Sequence, residues 1–441
     1  MLQIEEPTSP DAGNGPIASR GLASWGRQRR LTALAVVTYV LLRIESVLAS
    51  PAFHTPDTAS YTSGQATRPP LGSFLISTFG TTGYQLLSAV VSTAGFVALA
   101  VAMWDPARRR WSTGIAVFLG VVSMLPTFHV YEHWLIPDSF LVGICCLSLA
   151  LAWRKDGPRW RPYALVALLV LATLAKEIGF SLAILIALVA AIRWSWRTAL
   201  VAVALTGVLF VAVVSPASDR PGRVLAQEPL DTPLTMNRFR IIAASLAWWS
   251  IDDRLLEVNH RAAECGMTIE QFTKETFGLT NMVVHFRHCP ELWEATDAMS
   301  QFDVLLIHAK HPEFIDKGVQ RGFAPKMQAM AEWSRYRWSV TPWFRLDRIL
   351  AGLLSTVSLA AVVISVVRRR GRRLALVVLA ANGLALAAIL VDPSGQDRHA
   401  YPFRVVALVV AVMALTEAFA PKGEPAAVAT TDEPAPAPSD A

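Results

Sequence analysis

The run YALVALLVLATLAKEIGFSLAILIALVAAIRW (163–194) decides the topology of this chain. It is too long for one ordinary crossing and short for two, and its middle carries the charged pair Lys176-Glu177. A charged pair at mid-bilayer is costly, whereas the tip of a hairpin puts it at the far interface. We therefore read two spans, 163–175 and 178–194. The alternative, one long tilted helix, would move everything downstream to the other side of the membrane.

The rest of the chain suits this reading. Its residues are 53% hydrophobic and 17% charged, and its mean hydropathy is +0.40. Apolar blocks about 15 to 22 residues long recur along it. The sequence predicts an all-α polytopic membrane protein with about ten transmembrane helices, near 31–49, 83–103, 112–126, 138–153, 163–175, 178–194, 198–214, 346–367, 374–391 and 404–420. Arg108 to Arg110, then Arg154, Lys155, Arg159 and Arg161, then Arg193 and Arg197, then Arg368 to Arg370 with Arg372 and Arg373 all fall on one side, which the positive-inside rule makes cytosolic. The polar, acidic start is not that of a cleavable signal, so 1–30 reads as a cytosolic tail, and the Ala- and Pro-rich segment 421–441 as a disordered cytosolic end. The isoelectric point near 9.3 follows from arginines beside span ends and does not indicate a nucleic-acid partner.

Residues 215–345 break the apolar pattern with charged, Trp and His residues. So many aromatics argue for a folded domain, extracytoplasmic and inserted after the seventh span. The capping-box pattern Thr268-Ile-Glu-Gln271 and Pro290 in Cys289-Pro-Glu-Leu-Trp make it mainly helical. Cys265 and Cys289 are the cysteines outside the spans, and an oxidising compartment would join them in a disulfide. Cys145-Cys146 sits in an apolar helix and reads as packing. There is no P-loop, dinucleotide fingerprint or internal repeat, and His285-Phe-Arg-His288-Cys289 reads as surface residues rather than a zinc site.

Chemistry is then left to the outer ends of the spans. The first outer loop, 50–82, holds His54-Thr-Pro-Asp57-Thr-Ala-Ser-Tyr61 and Arg68-Pro69-Pro70-Leu71. The second holds His129, Tyr131, Glu132, His133 and Asp138; Lys176-Glu177 tops the third; Asp397-Arg398-His399-Ala-Tyr401-Pro402 forms the last. Cations and aromatics are common interfacial anchors, but Asp57, Glu132 and Asp138 gain little from anchoring, and acid–base chemistry needs such groups.

These motifs, in this order, resemble the GT-C superfamily of integral-membrane glycosyltransferases, which includes protein O-mannosyltransferases and lipid A aminoarabinose transferases. The matching residues are Pro56-Asp57-Thr-Ala-Ser-Tyr61, Arg68-Pro69-Pro70-Leu71, Glu132-His-Trp-Leu-Ile-Pro-Asp138-Ser139, Leu174-Ala-Lys176-Glu177 and Asp397-Arg398-His399-Ala-Tyr401-Pro402. A large loop after the seventh span completes the pattern. The resemblance implies a polyprenyl-phosphate-linked sugar donor and an acceptor hydroxyl on a lipid, polysaccharide or protein, at an active site facing outward from the plasma membrane. It implies Asp57 as general base and Lys176, Arg398 and Arg68 as phosphate ligands. Glu132 and Asp138 become supports for the cations or acceptor contacts, and Tyr61, His133, His399 and Tyr401 further substrate contacts. Relatives often carry two adjacent acids where this chain has Asp57-Thr58, so no metal ligand is assigned; no cofactor is implied, and a divalent ion stays open. Two other classes compete: a lipid-linked oligosaccharide ligase or polymerase of another fold, and a lipid or solute transporter. A transporter should place ionisable groups or Gly/Pro breaks at mid-bilayer, often in repeated halves, and such features are scarce.

Overall fold

The computed structural model describes residues 34–45, 61, 69–124, 131, 135–154, 157–214, 260–261, 263–266, 301–312, 356–390 and 399–420. Among these there is helix and no strand: α1 (34–45), α2 (Pro70–Ala102), α3 (Arg109–Met124), α4 (Asp138–Trp153), α5 (Arg161–Ala175), α6 (Gly179–Arg193), α7 (Trp196–Leu209, continued by a π turn to Val214), α8 (Gln301–Lys310), α9 (Thr356–Val367), α10 (Arg372–Leu390) and α11 (Tyr401–Ala418).

Four of the described helices are long and apolar enough to cross a membrane: Pro70–Ala102, Trp196–Val214, Arg372–Leu390 and Tyr401–Ala418. The apolar helices α4, α5, α6 and α9 are shorter. Large apolar side chains cover the outside: Leu34, Val117, Leu200, Val211 and Leu376 are exposed, where a water-soluble protein would place charge. Inside, several hydroxyls return to their own helix, Ser148 to Ile144 O (2.8 Å), Thr173 to Leu169 O (3.0 Å) and Thr206 to Ala202 O (2.7 Å), so these groups are satisfied without water. The chain is an all-α polytopic membrane protein.

Helix α4 is the centre of the bundle. Nearly every side chain it carries is buried, from Asp138 to Trp153, as expected of a helix apolar all round. It packs on α2 through small residues: a Cβ at Gly95 would lie 2.7 Å from Gly143 O, and one at Gly143 would lie 2.7 Å from Ser92 N. Backbones approach this closely only where side chains are absent, and in lipid such contact supplies much of the attraction. Cys145 and Cys146 are free and buried in α4. Helix α11, also buried almost throughout, packs against α4 and α10.

The run 163–194 is two helices. Helix α5 ends at Lys176, whose backbone is extended (φ −157°, ψ 151°), and α6 begins at Gly179, whose N–H donates to Lys176 O at 2.8 Å. The reversal is tight: a Cβ at Gly179 would fall 1.9 Å from Ala172 O and 2.5 Å from Ala172 C. Gly179→Ala must therefore open the α5–α6 turn, and a loss of about 1–3 kcal/mol is expected. Thermal unfolding of the detergent-solubilised protein checks it; an unchanged midpoint would contradict the packing at this turn.

Helix α2 differs from expectation. The sequence reading begins a span at residue 83 after a loop 50–82, but helix begins at Pro70 and runs to a kink at Gly80 (φ 66°, ψ −174°). Proline at the first helical position is preorganised for a helix start, and the left-handed φ at residue 80 suits glycine. The segment before the kink buries Gly72, Leu75 and Ile76 and exposes Phe74 and Phe79.

Candidate active site

Helix α4 opens at Asp138, preceded by Pro137 as N-cap, so its carboxylate meets the positive end of the helix dipole. Helix α5 arrives antiparallel and ends at Lys176, where a cation meets the negative end. The Lys176 ammonium donates to Asp138 Oδ1 in an ion pair, and the two side chains are 3% and 1% exposed. Charges removed from water this completely are held only when paired.

Around the pair the bundle gathers aromatics from separate parts of the chain. Tyr61, from the segment before α2, is 2% exposed. A Cβ at Gly72 would stand 3.3 Å from Tyr61 Cε1, 3.2 Å from Ala175 O and 3.5 Å from Pro137 Cβ. The missing side chain at Gly72 thus lets the first loop, α2, α4 and α5 meet at one point. Tyr84 donates its hydroxyl to Ile136 O at 3.2 Å and lies within electrostatic range of Tyr61 and Asp138. The Tyr131 and Tyr401 rings pack 4.4 Å apart at 31°, and Tyr401 is within electrostatic range of Asp138 and Arg43. Four of the chain's seven tyrosines therefore converge at this end of the bundle. His399, half-buried, lies in the short turn leading into α11. Beside these residues, Ser73 Oγ and Ser139 Oγ are buried without a hydrogen-bond partner among the described residues.

Arg43 stands behind the cluster. It is 1% exposed and donates to Ser92 Oγ (3.0 Å), Thr93 Oγ1 (3.3 Å) and Ser123 O (2.8 Å), tying α1 to α2 and α3. Its neighbour Glu45 is exposed.

Tyr61, Asp138, Lys176 and Tyr401 are thus brought together, with His399 at the start of α11. Asp57, Arg68, Glu132, His133 and Arg398 lie outside the described residues, as does Cys289; Cys265 is disulfide-bonded. No group of three or more His, Cys, Asp or Glu suited to a metal occurs among the described residues. Sequence reasoning passed over Tyr84 and Gly72. The scarcity of tyrosine in so apolar a chain was a usable signal for the first, since a buried phenol needs a partner; nothing marked the second.

No family model matches the chain, and no curated protein matches it. Two solved structures are similar in part. One is the crystal structure of ArnT from Cupriavidus metallidurans in the apo state, at 15% identity and a TM-score of 0.32, over 89% of this chain and 78% of that one. The other is ArnT from the same organism bound to undecaprenyl phosphate, at 14% identity and a TM-score of 0.31, over 88% and 78%. Likeness of that degree decides neither fold nor activity.

Proposed function

We propose that this protein is a membrane glycosyltransferase of the GT-C type. It moves a sugar from a polyprenyl-phosphate donor to an acceptor hydroxyl at the outer face of the plasma membrane, with inversion at the sugar carbon. The acceptor is a lipid, polysaccharide or protein. The observation that carries the reading is the buried Lys176–Asp138 pair at the end of two helices, ringed by tyrosines from distant segments.

The chemistry follows from charge. Asp57 takes the proton of the acceptor hydroxyl; the oxygen bonds to the anomeric carbon as the carbon–oxygen bond to phosphate breaks; and the bond pair leaves on the phosphate, which gains one negative charge. A cation held in a dry site is worth most where that charge develops. Lys176 supplies one and Arg398 and Arg68 supply others, and Asp138 pairs with Lys176 and aims it while no donor is bound. Glu132 supports the cations or the acceptor; Tyr61, Tyr401, His133 and His399 contact the substrates, the aromatic rings offering faces to sugar and isoprenoid.

The test uses the full chain in nanodiscs. Undecaprenyl phosphate at about a hundred times its dissociation constant should stabilise the folded protein by about 2.7 kcal/mol, and radiolabelled undecaprenyl-phosphate sugars should include one that loses its sugar to an acceptor in a membrane extract. No stabilisation at saturating undecaprenyl phosphate, together with no sugar release from any of them, would refute the proposal.

A further inference from the structure

The end of the bundle away from Lys176 carries a second concentration of charge. The last turn of α11 has carbonyls with no partner in the helix and bears the negative end of its dipole, and arginines from distant segments gather on it. Arg108 donates to Thr416 O (3.2 Å) and Phe419 O (3.1 Å), and Arg370 to Ala420 O (2.5 Å). The Arg368 guanidinium lies 4.1 Å from the centre of the Phe419 ring, and Trp111 packs on that ring at 5.6 Å. Phe419 thus joins two arginine runs, 108–110 and 368–373, which lie far apart in the sequence.

The resulting face is strongly basic. Arg109, Arg110, Arg368, Arg369, Arg372 and Arg373 are exposed, and Arg108 and Arg370 half-buried. The carboxylates described within the two runs and the helix end are Asp105, which caps the turn at Ala107 N, and Glu417, which is ion-paired with Arg193. Trp104 stands beside the arginines, 38% exposed, and a Trp so placed marks the level of a bilayer's headgroups. Arg108 meets the carbonyls through two of its nitrogens and has further N–H groups for an anion.

We propose that this face is a binding site for the phosphate headgroups of anionic phospholipids. Phosphate matches the paired donors of a guanidinium, and Trp104 sets the site at headgroup depth. The competing anion is the chain's own segment 421–441, whose carboxylates, Glu424, Asp432, Glu433 and Asp440, are spread among Ala and Pro. The inference does not depend on the transferase reading, because the experiment reads neither donor nor transfer.

Energy transfer from the protein's tryptophans to dansyl-labelled phosphatidylglycerol or phosphatidylcholine, in phosphatidylcholine vesicles holding the full chain, measures local enrichment. Phosphatidylglycerol should be favoured, and added salt should weaken the preference. Arg110, Arg369 and Arg373 are exposed, so changing all three to Gln should leave the bundle folded. At roughly fivefold per arginine, the triple Gln variant should lose about a hundredfold of the preference, and the triple Lys variant should keep most of it. Equal enrichment of both probes around the wild-type chain, or a preference unchanged by the Gln substitutions, would overturn the proposal. So would a phosphatidylglycerol preference seen only when the chain is cut after Ala420, since the acidic segment would then be the occupant.

Discussion

Asp57→Asn should lower sugar transfer by roughly 10² to 10⁴-fold, the usual weight of general acid–base catalysis, while leaving undecaprenyl phosphate binding near its wild-type value. The amide keeps the shape of the carboxylate and cannot accept the hydroxyl proton at neutral pH. The phosphate is held elsewhere, by Lys176, Arg398 and Arg68 in the proposed mechanism, so the loss belongs in turnover and not in donor affinity. Such a pattern marks an interaction made in the transition state rather than in the ground state. A folded Asp57→Asn protein that transfers sugar at the wild-type rate would remove Asp57 as the base and make Glu132 the next candidate. An equal loss of donor binding and turnover would instead assign Asp57 a structural or binding role.

How much of this was legible beforehand depended on the kind of signal. The break at Lys176-Glu177 was readable because two charges interrupt an apolar run, and the start of α4 because Pro137-Asp138 opens one. That Lys176 meets Asp138 in particular was not readable. The residues lie 38 apart in the chain, and their meeting depends on the antiparallel packing of α4 and α5, whose ends converge on Gly72 of α2 through Pro137 and Ala175. The helix from Pro70 to the kink was mistaken for loop because Gly72, Ser73, Ser77, Thr78 and Gly80 dilute its apolar pattern below what a window detects. Arg43 shows the same limit: it falls within the apolar span 31–49, yet its holders, Ser92, Thr93 and Ser123, sit on two other helices. Single-residue chemistry and local breaks can be read from sequence, while partners that depend on packing cannot.

The Lys176–Asp138 pair yields the second large effect, because its structural and functional roles separate under mutation. Asp138→Asn or Lys176→Ala alone leaves one buried charge without its partner, and a loss of about 3–5 kcal/mol in stability is expected. Replacing both at once, Asp138→Leu with Lys176→Met, removes the charges together and should restore stability to near wild type or above, since buried ion pairs are often no better than an apolar pair of similar volume. The double variant should nonetheless lose donor affinity by something like 2–5 kcal/mol, the cost of truncating one side of a buried charge contact. Asp138→Asn should respond differently again. There the donor phosphate can itself supply the anion that Lys176 lacks, so undecaprenyl phosphate should stabilise this variant more than it stabilises the wild type. Thermal unfolding of the four proteins, each with and without undecaprenyl phosphate, reads all of these at once. A double variant that is stable and still binds undecaprenyl phosphate like wild type would make the pair purely structural, and the phosphate would then have to be held by Arg68 and Arg398.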